Sequence, residues 1–104
     1  MQDIQHDQFD ELVTKSAGVS LVKFYLTTCG PCKILDATLE QLDDQYNIYT
    51  VNLAENQDLA REYKVKTVPT TVVFQNGESK GFFLGMRTKE FIIDKVTELT
   101  EGNN

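Results

Sequence analysis

The amino-acid sequence predicts an α/β fold, a central mixed sheet of four to five strands with helices on both faces. Three observations predict it. Strand-like and helix-like segments alternate through the first part of the 104-residue chain, so those strands are joined by helical crossovers and run parallel. Two later strand-like runs are joined only by a short turn carrying Asn76-Gly77, which adds antiparallel strands at one side. The composition, 40% hydrophobic and 25% charged, is globular and too apolar for disorder. At this length a single domain over 1–104 is expected, large enough for a core without metal or disulfide staples.

The elements follow in order. Residues 1–4 carry only a faint pattern for a short first edge strand. Asp7 is positioned to cap a helix with Phe9, Leu12 and Val13 on its apolar face, and Gly18 ends it. Residues 19–26, VSLVKFYL, are apolar on both faces apart from Lys23, which suits an interior strand. A helix then runs from the cysteines to about Tyr46, with Leu35, Leu39, Leu42 and Tyr46 as its stripe and Ile34 widening it. Pro31 falls at its start, where the missing N–H costs nothing. Residues 47–53 form the next strand, and a short helix over about 57–63 follows with Asn56 as its cap. Residues 70–74 and 81–85 are hairpin strands around QNGE. The last helix starts near Thr88 with Phe91, Ile92, Val96 and Leu99 on one face, and Gly102 with two asparagines ends the chain.

Net charge is -6 and the pI is near 4.6. That argues against a nucleic-acid partner, which calls for a basic face. The acidic balance otherwise speaks only for solubility. The polar N-terminus lacks the basic and apolar regions of a signal peptide, and no apolar run suits a membrane span. With Met1 at the start, a cytoplasmic product is expected, and a monomer is the default. His6, near the start of a surface helix, reads as solvated.

The two cysteines of the chain, Cys29 and Cys32, lie in TTCGPCK, residues 27–33. A metal clip is one reading, but a structural zinc site wants four ligands and the chain offers one cysteine pair and one histidine. A structural disulfide is another, but so short a bridge constrains almost no loop and is reduced in the cytosol. A dithiol that turns over has a mechanism. Cys29 lies just before a helix whose N-terminus favours thiolate, and Lys33 adds a cation. Three-residue spacing puts Cys32 on the same face, ready to attack a mixed disulfide at Cys29. Gly30 leaves room for a substrate backbone, and Pro31 stiffens the turn.

A Cys-x-x-Cys pair between strand and helix is a redox signature. Together with Val68-Pro69-Thr70, Asn76-Gly77 and Gly85, the run Cys29-Gly30-Pro31-Cys32-Lys33 resembles the thioredoxin family over nearly all of the chain. The resemblance implies a thioredoxin fold and a protein-disulfide reductase. It implies Cys29 as nucleophile and Cys32 as resolving thiol. It implies a cis bond at Pro69, which on sequence alone reads as an ordinary trans strand-entry proline. Val68 would offer its backbone to an extended substrate, and Gly85 and Met86 would complete an apolar rim, although Met86 alone reads as a loop residue. The partners implied are substrate proteins with disulfides and a thioredoxin reductase or other electron donor. No bound cofactor and no metal are expected, since the dithiol carries the electrons.

Three positions depart from the family pattern. Thr28 stands where the family has tryptophan before the first cysteine, and the chain has no tryptophan. Lys23 stands where the family has a buried aspartate, and Thr50 where that aspartate has its lysine partner. Lys23 has two readings: it snorkels, with stem packed and amine in water, which is the expectation, or its amine sits near Cys32 and alters proton handling there. These departures leave a second function open, a thioredoxin-like module that binds a dedicated partner with little general reductase activity. Retention of both thiols argues for the enzyme. An oxidase or isomerase is disfavoured by Pro31 and by the lack of a signal peptide.

Overall fold

The computed structural model describes residues 1–101. The expected glycine and asparagines at the chain end lie outside the described residues. The elements are β1 (Gln2–Asp3), α1 (His6–Phe9), β2 (Val19–Tyr25), α2 (Gly30–Glu40), β3 (Asn47–Asn52), α3 (Gln57–Glu62), β4 (Thr70–Gln75), β5 (Glu78–Leu84) and α4 (Lys89–Glu101). The described strands form one five-stranded sheet in the order β1-β3-β2-β4-β5. β1 and β2 pair with β3 in parallel, and β4 pairs antiparallel with β2 and β5. The mixed sheet is thus as the sequence predicts, and the faint first strand is real.

Strand alternation divides the core in two. Val22, Phe24, Val51, Val72 and Phe74 pack on one face against Phe9 and Val13 from the first helical segment and Leu59 and Ala60 of α3. Leu21, Ile48, Val73 and Phe83 pack on the other against Leu35 and Leu39 of α2 and Ile92 and Val96 of α4. Helices therefore cover both faces, and the fully buried middle of β2 sits at the centre.

Several local expectations give way. Gln5, not Asp7, caps α1: Gln5 N donates to Gln8 Oε1 at 2.9 Å, and Gln8 lies three residues on, as in a capping box. The helix then widens to a π turn over Asp10–Thr14, with Lys15 N donating to Asp10 O. Asn56 caps nothing with its side chain. Its Oδ1 accepts from His6 N at 2.8 Å and its Nδ2 donates to Asn52 O, so it ties α1 to the end of β3. The α2 helix stops at Glu40, short of Tyr46. Three-residue turn bonds such as Leu42 N to Leu39 O continue from there and keep Leu42 in the core. Ile34 does not widen the buried stripe: it is 59% exposed, because Leu35 takes the inward direction. Phe91 lies at the margin of the α4 face, edge-on to Phe83.

The hairpin turn is tightly specified. Asn76 and Gly77 both have positive φ, 51° and 83°, as a two-residue hairpin turn requires. Asn76 N donates to Gly18 O and its Oδ1 accepts from Gly18 N, both at 2.9 Å. A Cβ on Gly77 would lie 1.9 Å from the Thr14 carbonyl oxygen. Gly77→Ala is therefore expected to lower stability by about 1–3 kcal/mol. Urea unfolding checks this as a fall in midpoint without a change in slope.

Candidate active site

The site forms where β2 ends, α2 begins and β4 starts. Phe24 pairs with Thr70 across the two strands, which brings the cysteine loop and the Val68-Pro69 segment to one end of the sheet. The Val68-Pro69 bond is cis, as the resemblance implied. Gly85 N donates to Pro69 O at 2.9 Å and ties the end of β5 to this segment.

Cys29 is the N-cap of α2, and its Sγ accepts from Cys32 N at 3.2 Å. The first N–H groups of a helix lack internal partners, so the sulfur occupies the place of a capping oxygen. Cys29 and Cys32 are joined as a disulfide, with Cα atoms 5.3 Å apart. Cys29 is 9% exposed and Cys32 2%, so Cys29 is the more accessible of the two. Thr28, Gly30, Pro31 and Lys33 are exposed around them. Val68 is half-buried and Pro69 buried. Met86 is exposed and lines a shallow groove with Ile34, Leu35 and Thr38, on the α2 side of the site. Ile34, read from sequence as core, lines this groove instead. On another flank, a cleft of about 540 Å³ runs beside Thr67 and Thr70, walled by Tyr63, Phe82 and Leu84 with Lys64 and Lys66.

Lys23 does not snorkel. Its side chain is 1% exposed, and its Nζ donates to Cys32 O at 3.3 Å and to the Asp36 carboxylate. The aromatic ring of Tyr25 lies 5.0 Å from the amine. A buried ammonium is tolerable only when paired and hydrogen-bonded, and here it is both. Sequence reasoning missed Asp36. Its spacing from Cys32, four residues along one helix, was the signal available.

Lys23 belongs to a polar row across the sheet. Asp3 pairs with Thr50, Thr50 with Lys23, and Lys23 with Thr71. Thr50 Oγ1 donates to Asp3 Oδ1 at 2.7 Å, and Tyr25 Oη donates to the same oxygen at 3.0 Å. Thr71 Oγ1 is buried without a hydrogen-bond partner among the described residues. Asp3, Lys23, Tyr25, Cys32, Asp36 and Thr50 line a cleft of about 490 Å³ that reaches the inner cysteine.

A family model described as Thioredoxin matches residues 1–98. The chain belongs to the thioredoxin family. It is 33% identical to the thioredoxin of Staphylococcus saprophyticus over 97 residues, covering 89% of this chain and 91% of that protein. It is 29% identical to the chloroplastic M-type thioredoxin of Spinacia oleracea over 100 residues, covering 92% of this chain and spanning only 55% of that longer protein. Among solved structures, a mutant thioredoxin from Halobacterium salinarum superposes with a TM-score of 0.86 at 32% identity, covering 96% of this chain and 90% of that one. Membership and the paired cysteines identify the site as that of a thiol–disulfide oxidoreductase. No helix among the described residues is long and apolar enough to cross a membrane.

Burial, then the bond to Asp3, pushes the Tyr25 phenol up to about 12 from 10.0. A raised folded-state pKa stabilises the fold fully below about pH 10 and ceases to do so as pH rises through about 12. The stability advantage of the wild type over Tyr25→Phe should therefore shrink across that window. Tyrosinate absorbance should show a late-titrating component near 12 that the variant lacks.

Proposed function

We propose that this chain reduces disulfides of substrate proteins, with Cys29 as nucleophile and Cys32 as resolving thiol. The observation that carries the assignment of roles is the Cys29 sulfur at the N-cap of α2, with Cys32 one turn inside and almost fully buried. In the reduced protein the helix N-terminus favours the Cys29 thiolate, and the exposed Lys33 adds positive potential. That thiolate attacks one sulfur of the substrate disulfide and releases the other as a thiolate, which takes a proton from solvent. Cys32 then attacks Cys29 in the mixed disulfide, and the substrate leaves fully reduced. The enzyme ends as the Cys29–Cys32 disulfide, two electrons poorer.

An extended substrate segment runs along Val68, whose backbone is held by the cis bond to Pro69. Thr28, Gly30, Pro31, Gly85 and Met86 border it. An external donor, a thioredoxin reductase or an equivalent, returns the two electrons. We assign the activity to a monomer of one domain over 1–104, working in the cytoplasm. The reducing chemistry supports that reading.

Insulin disulfide reduction tests the proposal, driven in parallel by thioredoxin reductase with NADPH and by dithiothreitol. Turnover with both is expected. Turnover with dithiothreitol alone would move the donor to a different reductase, with Thr28 as the first residue to examine. Turnover with neither would overturn the general-reductase reading in favour of a dedicated partner. Cys29→Ser should reduce the rate to background. Cys32→Ser should arrest the reaction at a mixed disulfide visible by mass on a non-reducing gel.

A further inference from the structure

The exchange just described assigns no part to the Lys23–Asp36 ion pair, although it is built against the resolving cysteine. Cys32 and Asp36 share one face of α2, four residues apart. Lys23 rises from β2 and donates to the Cys32 carbonyl at 3.3 Å and to the Asp36 carboxylate. The lysine is 1% exposed and the aspartate 35%. The cation therefore lies at the enclosed end of the cleft, beside Cys32, and its counter-ion at the end open to water.

We infer that this pair sets the ionisation of Cys32, with Lys23 as the cation that favours its thiolate and Asp36 as the counter-ion that limits the effect. Both are positioning residues that act through the field at Cys32, and the inference rests on the reductase reading above. Resolution begins when the Cys32 thiol gives its proton to solvent entering the cleft. The Cys32 sulfur bonds to Cys29 Sγ, the bond from Cys29 to the substrate sulfur breaks, and that sulfur takes a proton from solvent. The dithiol is oxidised by two electrons and the substrate disulfide reduced by two.

Asp3 is held by Thr50 and Tyr25 on the β1 side. Tyr25 stays neutral until about 12, held up by burial first and in part by Glu55 and Asp36. Lys33 is exposed at the rim. Lys23 is thus the enclosed charge, 3.3 Å from the Cys32 carbonyl, and an opposite charge within about 4–6 Å of an ionising group moves its pKa by about one unit or more.

The two partners carry opposite signs, so their removal has opposite consequences. A Cys29→Ser background leaves Cys32 as the lone thiol, and its Cβ carbon shift against pH reads its ionisation without any turnover. Lys23→Met should raise the Cys32 inflection by about one pH unit or more. Asp36→Asn, whose amide oxygen still accepts from Lys23 beside the Cys32 carbonyl and so keeps the ammonium hydrogen-bonded, should lower it, and Asp36→Glu should return it towards the starting value. A purely structural pair would move both inflections the same way or neither, and either result would overturn the inference. Asp36 is part-exposed, so the asparagine variant alone decides the sign should Lys23→Met not fold. Insulin reduction by the unmodified protein separates this from failure of the reductase reading.

Discussion

The hydrogen bond from Cys32 N to Cys29 Sγ is the constraint on which the site depends. It makes the sulfur proposed as nucleophile the cap of α2 as well. A helix N-terminus must find acceptors for its first N–H groups, and here the chain offers a cysteine sulfur where an aspartate or serine is common. Pro31, inside the first turn, has no N–H to satisfy and holds the φ that the helix needs. The cap thus fixes where α2 begins, and the leucines of α2 fix where it lies on the sheet.

That placement decides what lies beneath Cys32. The polar row Asp3, Thr50, Lys23 and Thr71 crosses the sheet on the face that α2 covers. An apolar row there would give a conventional core. The polar row instead leaves a cleft that reaches the inner cysteine, with the Lys23 amine at its closed end and Asp36 towards water. Such a pair adds little net stability, because desolvation offsets the attraction. Its persistence in the middle of β2 is better understood through the charge it presents to the site.

Much of this was legible in the sequence. The paired cysteines, the interior strand before them and the Asn76-Gly77 turn are local signals whose physics does not depend on distant residues. The cis bond at Pro69 was not legible locally, because trans is the ordinary form, and only family resemblance pointed to it. Lys23 was misread for a different reason. Whether a lysine in an apolar strand snorkels depends on what covers it, and the covering residue, Asp36, comes from another element. The helix ends also failed locally: α2 yields to three-residue turns that keep the same leucine in the core, so the apolar period outlasts the helix. Asn56 had the right chemistry for a cap, but α1 offered it a better partner in His6 N.

In the proposed mechanism the helix start makes Cys29 an ionised nucleophile in the reduced protein. The most direct measurement is the rate of Cys29 alkylation by iodoacetamide against pH in the Cys32→Ser variant. An inflection well below the ordinary thiol value of about 8.5 is expected. An inflection at or above that value would contradict it, because the N-cap position would then confer no activation.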